Sequence, residues 1–224
     1  MTWIEKLIKD ILAAIFRQPS PGDNTHEKDS KEKVDKDKTS QEVRHKQFKE
    51  IAAYIEELIT KGTNNPFTKT PYKDLRESQG KNRSKDLDAL ILRNGGKLAD
   101  PYCLYGLQDI LRAVEIKFNI KFDLPKAGST QSFFNRTKPE YKTSEPLSYS
   151  IGIYQKGDEY KGHAVLCLSK IDSEDFSTFE FNTSPEQGKN IERDGQGCYF
   201  KTRSLEGYDD MRLRGFVDIF KAIK

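Results

Sequence analysis

Cysteine, histidine and long apolar runs are all scarce in this chain. Its 224 residues include only three cysteines, Cys103, Cys167 and Cys198, an odd number with no C-x-x-C pair and no histidine cluster nearby. That pattern argues against both a disulfide framework and a structural zinc site. No stretch reaches the roughly 20 consecutive apolar residues that a bilayer-crossing helix requires. The first residues also lack the features of a secretory leader, because Glu5, Lys6, Lys9 and Asp10 interrupt the apolar ones and no small-residue cleavage site follows. Synthesis in the cytoplasm without a Sec address is therefore the expectation, and work on the outside would need another exit. A dominant charge is missing too. The 38 Lys+Arg nearly cancel the 35 Asp+Glu, leaving +3, with no concentrated basic stripe of the kind that binds nucleic acid. There is no internal repeat.

What is present divides into three parts. Residues 3–16 carry Trp3, Ile4, Leu7, Ile8, Ile11, Leu12, Ile15 and Phe16 at helical spacing, which predicts an amphipathic helix over 1–19 that ends at Pro19. Such a helix can lie on a membrane surface, contact a partner protein or pack on its own domain. From Asp23 to Glu50 there are eight acidic and eight basic side chains and almost nothing apolar before Phe48. Too little area can be buried there to offset the entropy of ordering, so 20–45 is expected to be a flexible charged linker, the alternative being a long solvated helix. Residues 46–224 form the body, expected to be a monomer.

Within the body, Phe48, Ile51, Ala52, Ile55, Leu58 and Ile59 predict a helix stopped by Gly62. Leu87, Leu90 and Ile91 predict a second over 84–93, before the Asn94-Gly95-Gly96 break, and a third begins at Asp100. After Pro125 the texture changes. Segments 149–154, 163–169, 176–182, 197–202 and 213–220 read as short strands rich in aromatic and branched residues. Helices first and strands afterwards predict an α+β domain with a mostly antiparallel sheet.

Asp100-Pro101-Tyr102-Cys103 combines a favoured N-cap with a favoured first helical residue, which sets Cys103 in the first turn of a helix anchored by Leu104, Leu107, Leu111 and Val114. Unpaired amides and the macrodipole favour a thiolate there. Taken alone, such a cysteine is as a rule a packing residue. A nucleophile also needs a base, and the base needs an orienting group. Of three histidines, His26 and His45 fall in or beside the linker, leaving His163 at the opening of the run Gly162-His163-Ala164-Val165. The next strand carries Glu180 and Asn182, two apart and so on one sheet face, with Phe179 and Phe181 on the other. Either could reach the imidazole if the two strands pair; otherwise both are ordinary polar residues on a half-solvated strand. Cys167 and Cys198 sit in apolar strands and are assigned to packing.

Pro101-Tyr102-Cys103 opening a helix, Gly162-His163-Ala164-Val165 opening a strand and Phe179-Glu180-Phe181-Asn182-Thr183 on the next resemble, in order, the CHAP domain, a branch of the NlpC-type papain-like peptidoglycan hydrolases. Glu77 with Gly80-Lys81-Asn82-Arg83 is similar to the segment before the nucleophile helix of phage endolysins of this type. Arg193-Asp194-Gly195-Gln196-Gly197 with Arg203 is similar to the hairpin that follows the acidic strand. Five residues differ from the usual pattern, and no clear Gly-Asp strand precedes the His163 motif. Tyr102 replaces Trp, Leu104-Tyr105-Gly106 replaces small residues, and Phe181 stands where Gly is usual.

The resemblance implies a papain-like fold, N-terminal helices packed on an antiparallel sheet, and hydrolysis of an amide in the peptide part of peptidoglycan, as in a phage or prophage endolysin acting on the wall after release. It implies Cys103 as nucleophile, His163 as acid and base, and Glu180 or Asn182 as the group orienting His163. Helix N-terminal amides, including that of Cys103, would be the oxyanion donors, with Asn82 and Tyr102 contacting substrate. That chemistry uses no cofactor and no metal, and Asp86 with Asp88 alone does not define a calcium site. Two other classes fit the same residues, a papain-like toxin protease or acyltransferase acting on protein, and a catalytically silent wall-binding module.

Overall fold

The computed structural model of the chain describes residues 29–157, 161–185, 195–208 and 210–224, with side chains from residue 42 onward. The helix expected over residues 3–16 lies outside them. The chain forms two compact units, 1–54 and 55–224. Helix α1 (Asp29–Thr60) begins in the first and ends in the second. Over 29–45 the charged segment is helical. Lys and Glu are good helix formers, and no Gly or Pro interrupts the segment. Ile55, Leu58 and Ile59 are fully buried at its end, and Gly62 stops it at φ +68°.

Helix α2 (Lys85–Arg93) starts at Ser84, whose hydroxyl accepts the Leu87 amide at 3.3 Å. It buries Leu87, Leu90 and Ile91. Helix α3 (Cys103–Phe118) buries Leu104, Leu107, Ile110, Leu111 and Val114 and ends on left-handed Asn119. A carboxylate ties the two together. Asp109, fully buried on α3, accepts from Arg93 Nε and Nη2 at 2.8 Å each, from Asn94 Nδ2 at 2.7 Å and from the Tyr72 hydroxyl at 2.8 Å. A short helix α4 (Thr130–Arg136), not expected from the sequence, is capped by Ser129. Seven residues are too few to display a helical period.

Six strands follow: β1 (Lys142–Thr143), β2 (Ile151–Lys156), β3 (Gly162–Lys170), β4 (Asp175–Thr183), β5 (Gly197–Ser204) and β6 (Met211–Val217). They form one sheet of order β1-β6-β2-β3-β4-β5 with every neighbouring pair antiparallel. The architecture is α+β, with four helices among the described residues. Most expected strand ends move by one to three residues, two of them for a clear local reason. Tyr149 adopts φ +65° and is excluded from β2, and β6 stops at Val217 because Asp218 Oδ1 accepts the Phe220 and Lys221 amides in a turn.

The period-2 alternation gives the sheet two working faces. Helix α3 packs across β3 and β4, where Phe181 fills the space left by the missing side chain of Gly106. Tyr154, Val165, Cys167, Phe176 and Phe216 form a second apolar cluster, flanked by Leu205, Tyr208, Met211 and Leu213. His163 is the ladder partner of Tyr154, which puts the imidazole at the end of β3 beside this cluster.

Candidate active site

Cys103 is the first residue of α3, with Tyr102 as N-cap. Asp100 does not cap this helix as expected. Its carboxylate accepts the Lys97 amide at 2.8 Å and closes the preceding turn, so the helix starts two residues later than the Asp-Pro signal suggests. Tyr102 makes no side-chain cap bond, so no side chain of the N-cap competes for the first-turn amides. The His163 imidazole and the backbone amides of Leu104 and of Ala164 on β3 all act on the Cys103 thiol, each favouring its ionised form.

The imidazole is fixed from its other side. Nε2 of His163 lies 3.1 Å from Oε2 of Glu180, which leaves Nδ1 for the thiol. Glu180 is completely buried and fully occupied. Oε1 accepts from Thr178 Oγ1 at 2.7 Å and from Arg203 Nε at 2.7 Å, and Oε2 accepts from Arg203 Nη2 at 2.6 Å. The planar guanidinium thus grips both carboxylate oxygens, and its own flat face stacks on the Tyr208 ring at 3.8 Å. Cys103, His163, Glu180 and Arg203 are all buried, at 6%, 2%, 0% and 7% exposure, so their charges act on one another with little screening from water.

Burial works against every charge here, and the neighbours outweigh it. For Cys103, burial opposes the thiolate, but the bond to and charge of His163 and the two amides hold the thiol below its ordinary value. For His163, burial opposes the imidazolium, but Cys103 and Glu180 lift it to about 9. For Glu180, burial opposes the carboxylate, but His163 and Arg203 pull it down to about 2. All three shifts favour a thiolate–imidazolium pair beside an ionised carboxylate. The other two cysteines make the contrast. Burial pushes Cys167 up to about 12 and raises Cys198 as well, as expected of packing thiols.

The remaining expected site residues are placed differently. Asn182 adopts φ +56° at a break in the β4–β5 ladder, and its Oδ1 accepts the Gly195 amide at 3.0 Å. The carboxylate bonded to the imidazole is that of Glu180. Asn82 and Tyr102 meet at Glu77, whose carboxylate accepts the Asn82 amide at 3.0 Å and faces the Tyr102 hydroxyl at 3.4 Å, while Asn82 Nδ2 donates to the Ala99 carbonyl at 3.1 Å. At 1% and 0% exposure, both buttress the entry to α3 from within and present no open face to a substrate. Arg203, Thr178 and Tyr208 were not singled out from the sequence as site residues. A glutamate set between two phenylalanines in a strand was the available signal, because a buried carboxylate demands a cationic partner.

Among the described residues no group of three or more His, Cys, Asp and Glu is arranged to hold a metal ion, and no helix is long and apolar enough to cross a membrane. No protein-family model, curated protein or solved structure matches the chain.

Proposed function

We propose that this protein is a cysteine amidase or peptidase that hydrolyses an amide bond in the peptide part of peptidoglycan. In this reading the fold is papain-like, a nucleophile-bearing helix laid on an antiparallel sheet that carries the base. The observation that carries it is the row Cys103, His163, Glu180, built on the three motifs that resemble the CHAP domain, in which the imidazole bonds the buried carboxylate at 3.1 Å and acts on the buried thiol.

The thiolate of Cys103 attacks the amide carbonyl carbon, forming a C–S bond and moving the carbonyl electron pair onto oxygen. First-turn amides of α3, that of Cys103 among them, stabilise this oxyanion in a site of low dielectric. The His163 imidazolium gives its proton to the departing amine as the C–N bond breaks. Water, relieved of a proton by the now neutral His163, then cleaves the thioester and returns the thiolate. Glu180 keeps the ring oriented and stabilises its charged form, with Thr178 and Arg203 holding the carboxylate still. A phage or prophage endolysin, reaching the wall after release from the cytoplasm, is the role that fits this activity.

Purified cell walls from several chemotypes, incubated with wild type, Cys103→Ser and His163→Ala, test the proposal through release of new amine termini. Release by wild type alone supports it. No release by wild type from any wall, with folded protein, refutes it.

A further inference from the structure

Two opposite charges, Glu180 and Arg203, are buried side by side next to a dyad that needs only one proton moved between its members. The pair is bidentate at 2.7 and 2.6 Å, and Arg203 is pinned by the Tyr208 ring. Burying an ion pair gives little net stability, so its position calls for another account.

Charge counting supplies one. With Arg203 present, the four groups sum to zero both as thiol plus imidazole and as thiolate plus imidazolium, so proton transfer from Cys103 to His163 leaves the buried net charge unchanged. Without Arg203, Glu180 would leave the neutral dyad at a net charge of −1. The cheapest remedy would then be for His163 to take a proton from solvent while Cys103 keeps its own. Three neighbouring tyrosines leave this balance unchanged. Tyr105 of α3, Tyr154 of β2 and Tyr208 after β5 are all raised by burial and stay neutral. Asp100 reaches the Tyr105 hydroxyl at 3.4 Å, Asp175 opens β4, and Lys201 lies opposite Thr178 on β5.

We propose that Arg203 is a positioning residue that cancels the charge of Glu180, so that the proton on His163 comes from Cys103 and not from solvent. The proposal rests on the reading of Cys103 and His163 as the reactive pair, but its test requires no substrate. The full chain is titrated for thiolate by ultraviolet absorbance, with Cys103→Ser as the blank, and the His163 limb is followed by the pH dependence of iodoacetamide alkylation.

Opposite shifts are expected from opposite deletions. In Arg203→Gln, the uncancelled carboxylate moves both the appearance of thiolate and the loss of imidazolium to higher pH by about 1 unit or more. That is at least a tenfold smaller thiolate fraction on the acid limb. In Glu180→Gln, the uncancelled guanidinium moves both limbs to lower pH. Arg203→Lys keeps the charge, loses only the fork, and leaves both limbs within about half a unit of wild type. A purely structural Arg203 would lower thermal stability and move neither limb. Each folded variant decides alone: limbs of Arg203→Gln or Glu180→Gln that coincide with wild type, or limbs of Arg203→Lys displaced by more than a unit, overturn the proposal. A protein that cleaves no wall yet shows these shifts retains this inference and loses the hydrolase, and active enzyme without the shifts does the reverse.

Discussion

Gly106 and Phe181 are predicted to be one energetic unit, and the cost of separating them follows from the geometry. A Cβ added at Gly106 would stand 2.6 Å from Cδ2 of the Phe181 ring and closer still to Cγ and Cδ1, whereas ordinary contact begins at 3.4 Å. The ring must therefore retreat by about 1 Å from a close-packed position. It has nowhere to go, being fully buried and held edge-on by Tyr72 at 5.4 Å and Phe179 at 5.2 Å. Overpacking of this kind costs about 3 kcal/mol, and the better helix propensity of alanine returns about 1 kcal/mol. Gly106→Ala is thus expected to lose about 2 kcal/mol, a fall in Tm of roughly 4–8 °C for a domain of this size. Phe181→Ala alone costs about 3–5 kcal/mol by leaving a cavity. In that background Gly106→Ala should become stabilising by about 1 kcal/mol, a coupling of about 3 kcal/mol in a double-mutant cycle. Urea denaturation of the four proteins measures it. Additive effects, or a Gly106→Ala protein as stable as wild type, would refute the reasoning.

Three further outcomes follow. Asp109→Ala strips four donors of their acceptor and leaves Arg93 without its partner, so a loss of about 3–5 kcal/mol is expected in chemical denaturation; a loss below about 1 kcal/mol contradicts the account. Because Glu180 falls from 4.5 to about 2, its contribution is complete above pH 4.5 and is lost as pH falls through about 2. Because His163 rises from 6.5 to about 9, its contribution is complete below pH 6.5 and is lost as pH rises through about 9. The stability gap between wild type and Glu180→Gln should close on the acid side and that between wild type and His163→Gln on the alkaline side, in urea midpoints; pH-independent gaps would contradict both assignments. Finally, the buried Tyr208 hydroxyl has no hydrogen-bond partner among the described residues, so Tyr208→Phe, which keeps the stack on Arg203, is expected to raise stability by about 1 kcal/mol in a thermal melt; a lower Tm shows that the hydroxyl is satisfied.

Much of this arrangement was legible in local patterns. The five longer strands and the helix after Ser84 carry strong periodicity and explicit end signals, and each falls within a few residues of its expected place. Boundaries moved where a single backbone conformation intervened, as at Tyr149 and Asp218. The start of α3 moved because Asp100 found a closer amide at Lys97 than in the helix. Cys103, His163 and Glu180 were identifiable because each sits at a chemically distinctive local position, a helix start, a strand start and an acid between two phenylalanines of a strand. Arg203 was noticed only as part of the hairpin after the acidic strand; its bond to Glu180 was not foreseen, because that contact depends on the register of β5 on β4. Asn82 and Tyr102 were expected to contact substrate; their burial around Glu77 is a long-range packing fact with no local signature. Where the resembled family has glycine, this chain has Phe181, and the room for it comes from Gly106 some 75 residues earlier.

The central claim is that Cys103 cleaves a peptidoglycan amide. Mass spectrometry of purified peptidoglycan digested in parallel by wild type and by Cys103→Ala tests it most directly. New fragments from wild type alone, with masses that differ from the intact muropeptides by hydrolysis of one amide, are the predicted result and identify the bond. Identical profiles from the two proteins on walls of several chemotypes, with both shown to be folded, would contradict it.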